Sequence, residues 1–193
     1  RRVARLQYVL ASPFRYPPLR HGSRFGTRLE PSLFYGARDE RTVLAEAAYY
    51  RLVFFHGMAE PPPGGELKSE HTLFGVGYRT QLGLRLQTPP WSDHRTSVAS
   101  PVDYAVSQRL GAAMRAAGVE AFEYASARDR AGGINVALFV PSALAGATPD
   151  FQQAWLCQTR ADHVGFSGGR PVRFRAFPLD AFEVDGALPR PAA

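Results

Sequence analysis

Three side chains suited to gripping a dinucleotide fall in order within residues 24–51, RFGTRLEPSLFYGARDERTVLAEAAYYR: Arg28, Tyr35 and Glu46. A guanidinium binds phosphate through its planar fork. A phenol ring can wall off a flat base or sugar, and a fixed carboxylate stabilises positive charge that develops beside it. Each has an ordinary alternative, since loop arginines and helix glutamates are mostly solvated and strand tyrosines are mostly half-buried packing. What distinguishes this stretch is that the three types occupy three different local structures in succession.

Those structures can be read from spacing. SLFYGA at 32–37 has the aromatic and aliphatic content of a short strand, and the polar run Asp39 to Arg41 supplies a helix N-cap. Val43, Ala47, Tyr50 and Phe54 then recur at helical spacing, and Gly57 ends the helix. Glu46 borders that apolar stripe, so its carboxylate belongs either to the edge of a site or to the edge of the core.

Along the rest of the chain, residues 6–11 read as an opening strand and 12–22, with Arg15 and Arg20 among its prolines, as an exposed loop. EPPPGG at 60–65 marks a surface linker. Thr72, Phe74, Val76 and Tyr78 alternate, as do Leu82, Leu84 and Leu86, which predicts an antiparallel strand pair. Ser100 as N-cap, Pro101 in the first turn and Asp103 begin a helix with Val106, Leu110, Ala113, Met114 and Ala117 on its buried face and Gly118 at its end. Strands are expected at 120–124 and 134–140, and the serine and glycines of 125–133 between them allow close approach to a ligand. Residues 153–158 and 163–166 predict a hairpin, and Val172, Phe174 and Ala176 a last strand. Two strand clusters with interspersed helices predict an α+β fold with antiparallel sheets, in a single domain over residues 1–193.

The net charge of +6 suits a polyanionic partner or a pyrophosphate-bearing ligand. Nearly all of the positive charge is arginine, with Lys68 the only lysine. Cys157 is alone, which excludes an internal disulfide, and the five histidines show no ligand spacing, so no metal is expected. No apolar run is long enough to span a bilayer and the opening Arg1-Arg2-Val3 lacks a signal-peptide core, so a cytoplasmic protein without a membrane partner is expected. GxGxxG and GxxxxGK[ST] are absent, so side chains would have to hold any dinucleotide. GFSGG at 165–169 matches the nucleophile-elbow pattern, but RPVRFRAF follows it and alternates like a strand where a helix is required. A glycine-rich turn is the better reading, and Ser167 is not expected to be a nucleophile.

RFGTR, LFYGA, TVLAE, SQRLGAAMRAAGVEAFEYASAR and GGINVALF, in this order and spacing, resemble the RES domain. That family is the toxin half of a class of bacterial toxin–antitoxin pairs, named for characteristic arginine, glutamate and serine residues. The resemblance covers roughly residues 15–140. It carries the family's glycine-linked arginine onto Arg28, its strand tyrosine onto Tyr35, its helix glutamate onto Glu46, its loop serine onto Ser126 and an earlier arginine onto Arg15. Leu29-Glu30 stand where many members have Trp-Asn, which leaves Arg24 as the alternative to Arg28 for the main phosphate contact.

The resemblance implies an NAD-consuming enzyme related to ADP-ribosyltransferases, with two antiparallel sheets flanking a cleft that holds NAD. It also implies an antitoxin partner that carries a helix-turn-helix DNA-binding part and covers the cleft. Cleavage of the nicotinamide–ribose bond develops positive charge on the sugar, which Glu46 would stabilise. Arg15 and Arg28 or Arg24 would hold the pyrophosphate, Tyr35 would form the wall, and Ser126 would bond a phosphate or the nicotinamide amide. The exposed loops at 12–22 and 61–65 favour a target protein's side chain as the ADP-ribose acceptor, over phosphate (an NAD phosphorylase) or water (a glycohydrolase). The non-enzyme alternative is a basic nucleic-acid-binding module, but the arginines are dispersed and no stacking or helix-turn-helix motif is present, so direct nucleic-acid binding is not expected.

Overall fold

The computed structural model describes residues 5–16 and 22–190. In chain order its helices and strands are α1 (Tyr8–Ala11), β1 (Phe34–Ala37), α2 (Glu40–His56), β2 (Leu67–Gly75), β3 (Gly83–Arg85), α3 (Arg95–Val98), α4 (Ala105–Ala116), β4 (Ala121–Ala125), β5 (Ile134–Leu138), β6 (Phe151–Thr159), β7 (His163–Gly168) and β8 (Arg173–Pro178). The strands form two four-stranded sheets, β1-β5-β4-β3 and β2-β6-β7-β8. The class is α+β and the sheets are mainly antiparallel.

The expected antiparallel pairing of the two alternating runs at 72–86 does not form. β2 pairs with β6 in one sheet, whereas β3 runs parallel to β4 in the other. Alternation identifies a strand but says nothing about its partner, and β3, three residues long, docks wherever a neighbour is open. The expected opening strand is also replaced. Residues 8–11 form a helical turn in which Leu10 and Ala11 are buried, and Ser12 Oγ donates to the Tyr8 carbonyl at 2.7 Å.

α2 is capped as its sequence indicates: the Asp39 carboxylate accepts from the Thr42 amide at 2.9 Å. Its buried face differs from the expected one. Leu44, Ala45, Ala48, Tyr49 and Leu52 pack on Trp155, Cys157, Val164, Phe166 and Phe177 of the second sheet. Tyr50 and Phe54 from the expected stripe are 44% and 57% exposed. LAEAAYYRLVFF carries apolar residues around most of the helix, so periodicity alone does not select the face, and burial of the large Tyr49 and Leu52 decides it at about 1.5–3 kcal/mol per large side chain. This rotation turns Glu46 toward the first sheet.

α4 begins later than Ser100-Pro101 indicates. Ser100 Oγ instead accepts from the Val102 and Asp103 amides in a turn, and Asp103 Oδ1 caps the Ala105 amide at 2.7 Å. The buried face is Ser107, Gly111 and Met114, with Ala113 and Ala117 exposed. A Cβ on Gly111 would lie 2.0 Å from the Phe25 carbonyl oxygen, so only glycine lets the 23–26 turn approach α4 this closely. β4, β5, the β6–β7 hairpin and β8 fall where expected. Ser167 lies within β7, opposite Leu156 and Phe174, and the turn begins at Gly169 with φ +84°.

Candidate active site

The register of the first sheet sorts its side chains into two faces. Tyr35, Phe122, Tyr124, Asn135 and Ala137 share one face, because Tyr35 pairs with Ala137, Phe122 with Ala137 and Tyr124 with Asn135. Phe34, Glu123, Val136 and Leu138 share the other. Glu46 reaches the first face from α2.

There its carboxylate is held by two donors. Ser126 Oγ donates to Glu46 Oε1 at 2.6 Å, and Asn135 Nδ2 donates to the same oxygen at 2.5 Å. Two donors on one oxygen fix the carboxylate and leave Oε2 without a hydrogen-bond partner among the described residues. Ser126 Oγ in turn accepts from the backbone amides of Arg128 and Asp129 at 3.1 and 3.0 Å. Its hydroxyl proton is thereby directed at Glu46. The Ser126 loop is tied to α2 by Thr42 Oγ1, which donates to Asp129 at 2.9 Å. Gly133 is required for that approach: a Cβ there would lie 1.9 Å from Thr42 Oγ1.

Two arginines lie buried beside this cluster with no ion-pair partner among the described residues. Arg24 is 8% exposed, donates to the Ser100 carbonyl at 2.6 Å and lies over the Tyr104 ring at 4.5 Å. Arg128 is 4% exposed, donates to the Pro101 carbonyl at 2.8 Å and to Tyr104 Oη at 3.2 Å, and covers the Tyr49 ring at 3.5 Å. Arg128 Nη1 and Asn135 Oδ1 are buried without a hydrogen-bond partner. Unpaired buried groups cost about 1–3 kcal/mol each and concentrate where a site is built for a ligand.

Tyrosines complete the surroundings. Burial raises the Tyr124 phenol well above its ordinary range, with the Glu46 charge adding to the rise. Burial also pushes Tyr49 up to about 12. Tyr50 is 44% exposed, yet burial raises it too, followed by the charges of Tyr104 and Glu46. These phenols stay neutral at physiological pH, and Tyr49 Oη donates to the Pro189 carbonyl at 2.7 Å.

The sequence-based candidates are distributed as follows. Glu46 and Ser126 are in direct contact, and Arg24 is the arginine buried near them. Tyr35 holds the turn that carries Arg24: its hydroxyl bonds Ser23 Oγ at 2.8 Å and accepts from the Phe25 amide at 3.2 Å, on both sides of Arg24. Arg28 is not brought to the cluster. It sits exposed on the turn after Arg24 and shares no hydrogen bond, ion pair or ring contact with the cluster. Arg15, exposed after the Ser12–Phe14 turn, likewise makes no contact with it. Asn135, Arg128, Tyr104 and Tyr124 are additions from the structure. Of these Asn135 left a signal, as the only polar side chain in the apolar run at 134–140.

The space between the sheets is a different place. It is a cleft of about 1150 Å³ lined by Phe34, Glu123, Val136 and Leu138 from the opposite face of the first sheet and by residues of β2, and Arg24, Glu46 and Ser126 do not border it. This cleft is not where the Glu46 cluster lies.

The RES domain family model matches residues 1–160. The chain belongs to the RES domain family. No curated protein matches it. RES domains are associated with NAD use, and membership is consistent with an NAD-acting enzyme of a toxin–antitoxin system. Among the described residues of this RES domain, no helix is long and apolar enough to cross a membrane, and no group of three or more His, Cys, Asp and Glu side chains converges.

Proposed function

We propose that this RES domain is the toxin of a toxin–antitoxin pair and that it consumes NAD by breaking the nicotinamide–ribose bond. The observation that carries this reading is the Glu46 carboxylate, anchored through one oxygen by Ser126 and Asn135 beside two buried guanidiniums that have no acidic partner among the described residues. As the bond to nicotinamide lengthens, positive charge grows on the ribose, and a carboxylate already held in place stabilises it without reorganisation. Arg24 and Arg128 now donate to neutral backbone carbonyls, which phosphate oxygens would replace as stronger, charge-assisted acceptors. Tyr50 and Tyr124 supply apolar walls with polar tips.

The acceptor of the ADP-ribose is better assigned to phosphate or water than to a protein side chain. The protein-acceptor expectation rested on two exposed rims. One of them, the turn Pro63–Gly65, follows the far end of α2, and helix rise alone puts His56 about 15 Å beyond Glu46. Residues 17–21 of the other rim lie outside the described residues. Arg24 and Arg128 are given to the pyrophosphate of NAD, so the acceptor reading rests on the rim that lies far from Glu46. Inhibition by an antitoxin with a helix-turn-helix part is proposed on family membership, with the net charge of +6 favouring an acidic contact surface.

The test is product identification. The purified chain is incubated with NAD labelled in its adenylate part, with and without phosphate and lysate. Free ADP-ribose or its 1″-phosphate supports the reading. A lysate protein gaining one ADP-ribose unit as the main product returns the assignment to protein modification, and intact NAD throughout overturns the enzyme assignment.

A further inference from the structure

The cleft between the sheets takes no part in the chemistry above, and two features define what it can hold. Four consecutive residues of β1, Phe34 to Ala37, and four consecutive residues of β2, Thr72 to Gly75, border it. β1 and β2 are terminal strands of their sheets. Among the described residues their outer edges carry backbone donors and acceptors without a ladder partner, the template on which another strand can add.

The walls are cationic. Arg38 and Arg85, with side chains 58% and 70% exposed, share one oxygen of Glu123, each at 3.7 Å. Arg79 also borders the cleft; its backbone amide donates to the Ala143 carbonyl and its side chain has no hydrogen-bond or ion-pair partner among the described residues. The acids at the cleft are engaged elsewhere. Glu123, 6% exposed, also accepts from Tyr78 and Gln87, Glu40 is paired with Arg173, and Asp39 caps α2. Arg38, Arg79, Arg85 and Arg173 stand against Asp39, Glu40 and Glu123 around the cleft, a surplus of one positive charge in a groove whose low-dielectric walls focus it.

We propose that this cleft is a docking site for an extended acidic peptide segment of a partner protein, which adds as a strand along the free edge of β1 and sets its carboxylates against Arg38, Arg79 and Arg85. The site is separated from the Glu46 cluster by the first sheet, and the proposal goes beyond the NAD reading without depending on it.

The test is fluorescence anisotropy with a labelled, acetylated peptide alternating glutamate and valine, on the order of eight residues to span a strand. A lysine–valine counterpart and a single-stranded oligonucleotide serve as controls. The acidic peptide is expected to bind saturably and the basic one not to bind. Affinity should fall tenfold or more in Arg38→Ala/Arg85→Ala and in Arg79→Glu, and stay unchanged in Glu46→Gln. N-methylation of alternate backbone amides should abolish binding in one register and spare it in the other, because only one edge of an added strand pairs with β1. The proposal is overturned by absence of saturable binding, by equal affinity in arginine variants of unchanged melting temperature, by loss of binding in Glu46→Gln, by indifference to N-methylation in both registers, or by an oligonucleotide that displaces the peptide. Should the double variant fail to fold, Arg79→Glu alone decides the charge requirement.

Discussion

Removing the Ser126 hydroxyl separates the two jobs that the structure gives it. Ser126→Ala deletes the bond donated to Glu46 at 2.6 Å and the acceptor of the Arg128 and Asp129 amides. A hydrogen bond to a charged group contributes about 1.5–3 kcal/mol, and each buried amide left unpaired costs about 1 kcal/mol or more. The sum is about 3–5 kcal/mol before water enters the gap, which for a chain of this size lowers Tm by roughly 10 °C. Asn135→Ala removes the other donor to Glu46 but orphans no backbone amide, and it takes with it an Oδ1 that is already unpartnered. It should therefore cost only about 1 kcal/mol. Each variant loses one of the two anchors of the carboxylate, so NAD turnover by the folded protein should fall by about 10- to 100-fold in both. The double variant should fall by less than the product of the two, because the anchors act on one group. Urea melts give the stabilities, and turnover is read well below each Tm. Equal stability losses in the two variants, or full turnover in either one, refute the reasoning.

Other expectations follow from the same geometry. Arg24→Lys keeps the charge and loses the fork, so NAD binding measured by calorimetry should weaken by about tenfold, while Arg28→Lys on the exposed turn should bind normally; equal affinities count against Arg24. Gly111→Ala and Gly133→Ala each drive a methyl group into an atom about 2 Å away, the Phe25 carbonyl oxygen and Thr42 Oγ1 respectively. Both should lose about 2–3 kcal/mol in denaturant melts, whereas Gly64→Ala, with open space around it, should lose only the roughly 1 kcal/mol of its left-handed backbone. Burial lifts Tyr49 to about 12, above its unfolded value of 10.0. Its contribution to stability is therefore complete below pH 10 and lost as pH rises through about 12, and Tyr49→Phe should flatten that part of the stability–pH curve. An unchanged slope would show that the alkaline loss comes from other groups.

Local signals in the sequence carried α2 and most of the strands, because caps, glycine stops and alternation are local physics. Asp39 caps α2 as its type demands, and the β6–β7 hairpin forms where two alternating runs meet a short polar turn. What stayed hidden is non-local. Leu82, Leu84 and Leu86 announce a strand, but that β3 joins β4 in parallel depends on surfaces made elsewhere in the chain. Ser100-Pro101 has the chemistry of a helix start, yet Ser100 closes a turn whose carbonyls receive Arg24 and Arg128. In the site, Glu46 was legible from its type and place on the helix and Ser126 from its serine- and glycine-containing loop, with their roles given by family resemblance, but no spacing rule ties a helix residue to a loop eighty positions on. Arg24 and Arg28 lie four residues apart in one loop, and only the turn gripped by Tyr35 decides which is buried. Asn135 was legible as a polar residue in an apolar strand, but its partner was not.

The most direct measurement is NAD consumption by Glu46→Gln, followed with adenylate-labelled NAD beside the parent chain. The substitution keeps the shape and removes the charge, so the variant should fold with a similar Tm, still bind NAD, and consume it about 10²-fold more slowly or worse. A folded Glu46→Gln protein that consumes NAD at the parent rate would contradict the assignment of the anchored carboxylate as the group that stabilises the breaking bond.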